Sequence, residues 1–318
     1  MLMTMQDVFI YSITFESIDV IRVELRAADG NKLAAFTPGA HINLKLHDKV
    51  SRSYSLINDA DERRRYVIAV QKDADGRGGS KWLHEVARVG QKLRCGEPIN
   101  AFPLNENATH SVFIAGGIGI TPVWSMIQKL EKLDKPWQLY YRARARQKAP
   151  FLNELRSLGK AGKVNISFSD ETSRNVCDLD TIISNAPPEA DLYCCGPTGM
   201  LHSFEKACAE LDSARIHTEH FQADREATVQ NGFIVRAVKS NMELQIKEGQ
   251  TILQVLRDAG LDPPYSCESG LCGECQTRVI SGHPDHHDLF LTDEDKSSGE
   301  TIMICCSGSH SSILEIDL

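Results

Sequence analysis

The sequence predicts a multidomain chain of mixed α/β and β class: an antiparallel β-barrel, a parallel-sheet nucleotide-binding domain, and a small C-terminal domain organised by cysteines. Three observations carry that reading. A length of 318 residues suits two or three domains. The first third is punctuated into short β segments, and the middle alternates strand with helix. Cysteines then crowd a short C-terminal stretch at the spacing of metal ligands.

Short segments with alternating or continuous apolar character fill residues 6 to about 104: VFIYSITF, VIRVELRA, HINLKLH, SRSYSLI and RYVIAVQ. Turn signals at Asp29-Gly30 and Pro38-Gly39 separate them, which suggests a small antiparallel barrel. One helix, Ser80 to Ala87, interrupts the pattern after the glycine turn at 76–79. From about 108 the rhythm becomes strand, helix, strand. SVFIAGG, WQLYY, VNISFS and DLYCCG read as strands, with helices at Pro122–Leu133, Pro150–Leu158 and Met200–Leu211. Such alternation means a parallel sheet with helices on both faces. Residues 222–232 are polar and aperiodic, and a linker is placed there. The last segment carries FIVRAV, MELQIK and a helix at Ile252–Ala259 before the cysteine loop. The expected domains are therefore 1–104, 105–224 and 230–318.

Composition excludes several classes. Hydrophobic residues at 42% and charged residues at 25% are ordinary for a protein with real cores, which rules out disorder and low complexity. The net charge of −8 and pI near 5.8 argue against nucleic-acid or anionic-membrane binding. The N-terminus has no basic region ahead of an apolar run, so no signal peptide is expected. Ser111–Gln128 is uncharged, but Gly116, Gly117, Gly119 and Pro122 suit a strand-turn-helix better than a membrane span. A cytoplasmic protein is expected, in which clustered cysteines serve as ligands rather than disulfides.

Cys267, Cys272 and Cys275 stand at C-x4-C-x2-C, and Cys305 follows after 29 further residues. This is plant-type [2Fe–2S] spacing: three thiolates come from one tight loop and one from a distant strand. Gly270 and Gly273 let that loop curl so that amide N–H groups can face the sulfurs. Zinc favours paired short knuckles, and only one short pair exists here. Cys306 competes with Cys305 for the fourth position. If both lie on a strand they face opposite sides, and Cys305 shares the face of Met303. The pattern favours Cys305.

Four weaker motifs precede the cysteines. Arg52-Ser53-Tyr54-Ser55 ends a barrel strand, where an arginine and hydroxyls can hold a phosphate beside a ring-packing tyrosine. Gly76-Arg77-Gly78-Gly79-Ser80 opens a helix, which makes an anion site or a plain flexible loop. Gly116-Gly117-Ile118-Gly119 joins strand to helix in the context of a pyrophosphate turn, without being G-x-G-x-x-G. Cys195-Gly196-Pro197 ends a later strand, at the carboxyl edge where parallel sheets bind ligands. Any one of these could be an ordinary turn; all four in this order suggest flavin and nucleotide sites. His286 and His287 between Asp285 and Asp288 read as a surface turn or domain contact before a metal site. Arg63, Arg64 and Arg65 read as a solvated turn. Arg142, Arg144 and Arg146 lie where an adenosine ribose would be read.

Across essentially its whole length the chain resembles the reductase components of Rieske oxygenase systems. These are the phthalate dioxygenase and vanillate demethylase reductases of the ferredoxin-NADP reductase superfamily. The matching stretches are RSYSLIND, RYVIAV, GRGGS, AGGIGITP, YCCGP, CESGLCGEC, DHHD and MICCS. The resemblance implies a C-terminal β-grasp, ferredoxin-like domain and an FMN-binding barrel. It places FMN on Arg52, Ser53, Tyr54 and Ser55, with Ala69 and Val70 along the ring and Gly78, Gly79 and Ser80 at the phosphate. Thr121 would lie near the isoalloxazine, and Phe221 would cover it. NADH would lie on Gly116, Gly117 and Gly119, with Cys195 near the hydride path, Gly196 and Pro197 beside it, and Arg144 toward the adenosine. Two departures stand out. Gln71 replaces a frequent lysine, which loosens one flavin contact, and His286-His287 replaces a frequent His-Arg.

The implied activity is an NADH-dependent oxidoreductase passing electrons through FMN and a [2Fe–2S] cluster to the Rieske centre of a partner oxygenase of ring-hydroxylating or O-demethylating type. The cofactors carry the chemistry and no general acid or base is expected. NADH is expected over NADPH. The alternatives are a stand-alone NAD(P)H flavin or ferredoxin-type reductase, and a reductase serving a quaternary-amine monooxygenase.

Overall fold

The computed structural model describes residues 5–47, 50–74, 76, 78–158, 163–171, 178–221, 232–265, 268 and 270–318. The chain divides into two compact units, Met1–Phe221 and Gln222–Leu318. The expected linker at 222–232 lies almost wholly outside the described residues.

The first unit opens with strands β1 (Met5–Ser17), β2 (Val20–Ala27), β3 (His41–His47), β4 (Val50–Ser55) and β5 (Tyr66–Gln71). Helix α1 (Gly79–Glu85) and strand β6 (Lys92–Gly96) follow. The strands form one antiparallel sheet in the order β4-β3-β6-β1-β2-β5. A bridge between Leu56 and Ile68 joins its two ends and closes the barrel. Alternation does the work: Val23 and Leu25, Ile42 and Leu44, and Ile68 and Val70 point inward to one buried core.

The same unit continues through β7 (Ser111–Gly116), α2 (Ile120–Lys132), β8 (Trp137–Ala143), α3 (Leu152–Ser157) and β9 (Val164–Phe168). It ends with α4 (Leu179–Ser184), β10 (Asp191–Cys195), α5 (Thr198–Ala207) and β11 (Ile216–Glu219). These five strands pair in parallel, in the order β11-β10-β7-β8-β9. Strand β7 is buried throughout because both faces are covered. Phe113 and Ala115 enter the core shared with α2, while Val112 and Ile114 enter the core shared with α4 and α5. The α2 core also takes Val20, Ile57 and Ala69 from the barrel, so the two sheets share apolar packing.

A charged knot strengthens that junction. Arg22 of β2 pairs with Glu16 of β1 and with Glu154 of α3, and its guanidinium lies 4.9 Å from the Phe151 ring centroid. Phe151 has φ 62°, a left-handed geometry costly for a bulky residue. Its N–H donates to Glu16 Oε1 at 2.6 Å, and its ring stacks on Trp124. The strained backbone is thus held by a carboxylate from the barrel.

The second unit contains β12 (Phe233–Ala237), β13 (Met242–Ile246), α6 (Ile252–Asp258), β14 (Gln276–Ser281), β15 (Pro284–Asp285), α7 (Asp293–Ser298), β16 (Thr301–Met303), β17 (Gly308–Ser309) and β18 (Ile313–Ile316). Five strands run in the order β13-β12-β18-β14-β16, and β15 pairs with β17. Only the β12–β18 pair is parallel. Thr251 caps α6 by accepting from Gln254 N at 3.1 Å, and Ile252, Leu253 and Leu256 bury against the sheet.

The expected barrel and parallel sheet are present, but β6, α4 and β11 were not anticipated. Their apolar signals are short, and β11 is only partly buried, so periodicity had little to report. One premise is overturned. Cys305 and Cys306 do not lie on a strand: β16 stops at Met303, and Met303 O accepts from the N–H groups of Cys306 and Ser307. Both cysteines sit in a turn and both are buried.

Replacing Glu16 by alanine leaves Arg22 short of a counter-ion and the Phe151 N–H without its acceptor. We expect a loss of about 3 kcal/mol in unfolding free energy. Urea titration of the purified variant checks this; a change below about 0.5 kcal/mol would show that the knot is ornamental.

Candidate functional site

The parallel sheet reverses its strand order between β7 and β10, the position where open α/β sheets bind ligands beyond their carboxyl ends. Gly116, Gly117 and Gly119 leave β7 there, and Cys195-Gly196-Pro197 leaves β10. The glycines divide by role. A Cβ on Gly119 would come within 2.2 Å of Cys195 O, one on Gly116 within 2.6 Å of Pro197 Cδ, and one on Gly196 within 2.8 Å of Met200 Sδ. Contact between the two loops requires Gly116 and Gly119, whereas a Cβ on Gly196 is crowded by Met200 of its own segment and would lie 3.2 Å from Gly116. Gly117 differs: φ is 55°, and open space faces its α-carbon. Tyr141 Oη donates to Gly117 O at 3.1 Å and steadies the turn. Helix α2 begins directly after it with no acidic residue in its first turn and no side-chain cap, so its positive end is available to an anion. The Thr121 hydroxyl is buried and donates to Ile118 O at 2.9 Å.

A carboxylate that the sequence reading overlooked faces Cys195. Strands β10 and β11 pair Cys195 with Glu219, and the thiol donates toward Glu219 Oε2 at 4.0 Å. Burial of its carboxyl beside Cys195 pushes Glu219 up to about 8, so it is neutral through most of the physiological range. Burial first, and the neighbouring Glu219 second, hold the Cys195 thiol protonated. Phe221 follows two residues later and is exposed. Glu219 could have been suspected only from its place two residues before Phe221.

The arginines of this edge are differently engaged. Arg146 pairs with Glu171 at 3.2 Å over the Phe168 ring, and Arg142 Nε lies 3.4 Å from Ser169 Oγ. The Arg144 side chain is exposed. Arg63 and Arg65, expected as a solvated turn, bond Leu33 O, Glu62 and Glu24 within the barrel.

In the barrel, register splits the four residues at 52–55. Arg52 and Tyr54 lie opposite Leu44 and Ile42 on the core side, whereas Ser53 and Ser55 lie opposite Asn43 and His41 on the other face. Arg52 reaches α1: a Cβ on Gly79 would meet Arg52 Cγ at 2.7 Å. Gly78 caps that helix with φ 87° and open space beside it. Arg77 lies outside the described residues. Ser80 Oγ accepts from Asp73 N at 3.0 Å, and His84 Nε2 meets Val70 O at 2.9 Å. Ala69 and Val70 are buried, and Gln71 is exposed at the strand's end. On the far face Ser53 Oγ donates to Asn43 Oδ1 at 2.6 Å, and the buried Asn43 Nδ2 and His41 Nε2 lack partners among the described residues. Arg52, Tyr54 and the glycine cap therefore form a basic, aromatic, side-chain-free cradle that fits a flavin phosphate and ring.

Cys272, Cys275 and Cys305 are all buried and none forms a disulfide; Cys267 lies outside the described residues. Cys305 Sγ accepts from Gly270 N–H at 3.3 Å, and that amide with the neighbouring thiols draws its thiol below the ordinary cysteine value. The amide contact favours Cys305 over Cys306 on grounds other than strand alternation. Among the described residues no three ligating side chains surround one point. A [2Fe–2S] core needs none, since each of its two irons takes two thiolates. Left-handed backbone at Glu268, Gly270 and Gly273 coils the loop, so thiol chemistry and loop geometry both fit the cluster.

Asp288 explains the DHHD motif. Its carboxylate is buried and accepts from Phe290 N, Leu291 N at 2.8 Å and Ser307 Oγ. Gly270 O accepts from Leu289 N, and a Cβ on Gly270 would strike Cys306 Sγ and Asp288. The segment thus clamps the cysteine loop to the Cys305 turn. His287 pairs with Asp285 at 2.9 Å, and His286 Nδ1 lies 3.6 Å from Asp288 Oδ1.

Comparison with known proteins bears on both units. Residues 236–308 match the 2Fe-2S iron-sulfur cluster binding domain family, and residues 113–206 match the oxidoreductase NAD-binding domain family. The chain is 48% identical to phenoxybenzoate dioxygenase subunit beta of Ectopseudomonas oleovorans, covering 97% of this chain and 96% of that one. It is 42% identical to tetrachlorobenzoquinone reductase of Sphingobium chlorophenolicum, covering 98% of each. Among solved structures, phthalate dioxygenase reductase is described as modular for electron transfer from pyridine nucleotides to [2Fe-2S]. It superposes with a TM-score of 0.79 at 34% identity, over 99% of this chain and 98% of that one.

Two outcomes follow. Cys305→Ser should abolish or strongly alter the visible and EPR signals of a [2Fe–2S] cluster, while Cys306→Ser leaves them nearly intact; the reverse result would move the ligand to Cys306. Glu219 should make stability fall with rising pH. The unfolded carboxyl ionises near 4.5 and the folded one near 8, so the native state holds the extra proton between those values. The contribution of Glu219 is fully present below about 4.5, declines through that window and levels above about 8. Thermal midpoints of Glu219→Gln measured from pH 5 to 8 should decline less than those of the parent.

Proposed function

The chain belongs to the family of reductase components of Rieske-type oxygenase systems, and from that premise we propose that it carries electrons from NADH to the Rieske centre of a partner oxygenase. The observation that supports this best is the buried Cys275–Cys305 pair, with an amide aimed at Cys305, in a chain that also presents a glycine crevice at the switch point of a parallel sheet. The reading divides the chain into 1–104 for FMN, 105–224 for NADH and 230–318 for the cluster. When bound, FMN takes a hydride from NADH and the [2Fe–2S] cluster relays the two electrons singly.

The protein's own groups position and insulate. Arg52 and the N–H groups following Gly78 would hold the flavin phosphate, with Ser80 beside them, and Tyr54 would pack against the ring. Ala69, Val70 and Gln71 would border it along β5, and Phe221 would cover it. Gly117 and the start of α2 would receive the NADH pyrophosphate. Cys195 and the neutral Glu219 would offer a nicotinamide an uncharged wall, so no fixed charge there opposes the positive ring of NAD+. Pairing of Arg146 with Glu171 removes one cation that a 2′-phosphate would need, which favours NADH, with Arg144 left to the pyrophosphate side. Cys272, Cys275 and Cys305, joined by Cys267, would ligate the irons. Among the described residues no helix is long and apolar enough to cross a membrane, and a cytoplasmic place is part of this reading.

A second reading has one observation in its favour, the 42% identity to a tetrachlorobenzoquinone reductase. On that reading a quinone takes the electrons directly, without an oxygenase.

The test compares the full chain with one ending at Phe221. Both should oxidise NADH with ferricyanide, since hydride transfer needs only the first unit. Only the full chain should support substrate turnover by a Rieske oxygenase. Equal turnover by the shortened chain would remove the cluster from the route. Rapid NADH oxidation with benzoquinones by the shortened chain, and no oxygenase turnover by the full one, would establish the second reading instead.

A further inference from the structure

Five thiols stand where a [2Fe–2S] cluster takes four: Cys267, Cys272, Cys275, Cys305 and Cys306. On a strand Cys306 would be turned away from Cys305. The turn removes that separation, because β16 ends at Met303 and Met303 O accepts from Cys306 N at 3.2 Å and Ser307 N at 3.0 Å. Gly270 of the cysteine loop borders both sulfurs. Its N–H donates to Cys305 Sγ at 3.3 Å, and a Cβ on it would lie 2.6 Å from Cys306 Sγ. Cys306 is buried like Cys305, so its sulfur faces the loop and not solvent. Its own polar neighbours are distant, Met303 O and Ser307 Oγ at 3.8 Å each. A weak donor with such long contacts gives up little by turning. No thiol flanks Cys267, Cys272 or Cys275 in the chain, so this doubling belongs to the fourth ligand position alone.

We propose that Cys306 is a reserve ligand of the cluster, able to replace Cys305 on the iron that Cys305 holds. This rests on the cluster reading above and adds a fifth protein ligand to it. In the exchange one iron–sulfur bond to Cys305 breaks and one to Cys306 forms. The proton of the Cys306 thiol passes to the departing Cys305 sulfur, so the iron keeps its oxidation state and the net charge does not change. Coordination drives the proton off, since a metal-bound thiol is deprotonated. Adjacent α-carbons stand about 3.8 Å apart, so the turn has to rotate and not to unfold.

The experiment uses the full chain with FMN bound, reconstituted with iron and sulfide. It compares the parent with Cys305→Ala, with Cys305→Ala combined with Cys306→Ala, and with Cys275→Ala. Iron, acid-labile sulfide, visible absorption and EPR after dithionite reduction are measured. Cys305→Ala should keep its cluster, with bands and g-values shifted because the thiolate arrives from a neighbouring α-carbon. The double variant should lose it, as should Cys275→Ala, which has no thiol beside it. Circular dichroism and bound FMN report whether each chain is folded. Cys305→Ser and its combination with Cys306→Ser, which preserve side-chain size, repeat the comparison where alanine disturbs the turn. A folded Cys305→Ala chain as empty of iron as the double variant would overturn the proposal. So would the same cluster spectrum in both, which would show that something other than Cys306 fills the position. A parent that assembles no cluster would overturn the cluster reading itself, and the proposal with it.

Discussion

The larger unit depends on how closely two stretches of backbone approach at the carboxyl ends of β7 and β10. A single methyl group at Gly116 or Gly119 would overlap atoms of the facing loop. That contact sets the crevice at the switch point, aims the first turn of α2, and brings β11 alongside so that Glu219 meets Cys195. Glycine here is a packing requirement before it is a ligand requirement. Only Gly117, with positive φ and open space, answers the usual argument for backbone approach to a phosphate.

A similar economy governs the smaller unit. The cysteine loop needs left-handed backbone at three positions and cannot be held by a regular hydrogen-bond ladder. Asp288 supplies what the ladder does not, binding two amides and a serine hydroxyl while its neighbour Leu289 bonds Gly270 O. A buried carboxylate is costly unless its oxygens are satisfied by donors, and here they are. Strain at Phe151 is managed likewise, by the Glu16 carboxylate and by stacking on Trp124.

These devices share a physical logic suited to a protein whose reactive groups are brought to it. Cofactor chemistry asks the polypeptide for shape, low polarity and fixed dipoles, not for acids and bases in motion. The protonated Cys195 thiol and neutral Glu219 keep the crevice uncharged, and the start of α2, without a side-chain cap, offers a dipole rather than an ion.

Sequence alone determined the class of each domain and the cysteine spacing, because hydrophobic period, turn residues and ligand intervals are local properties. It also marked the four glycine-rich and arginine-containing segments, which meet in two pairs, Arg52 with Gly79 and the Gly116–Gly119 turn with Cys195-Gly196-Pro197. It misplaced Cys305 and Cys306 on a strand, since two adjacent buried cysteines look alike in a tight turn and in a ladder. It did not reveal Glu219, an ordinary acidic residue until β11 pairs with β10 and desolvates it. Nor could it give Asp288 a role, because its donors come from a chain reversal and from Ser307, 19 residues on. It treated Arg52 to Ser55 as one group, and register divided them between two faces. Burial, register and long-range donors belong to the packed chain, so these assignments waited for tertiary structure.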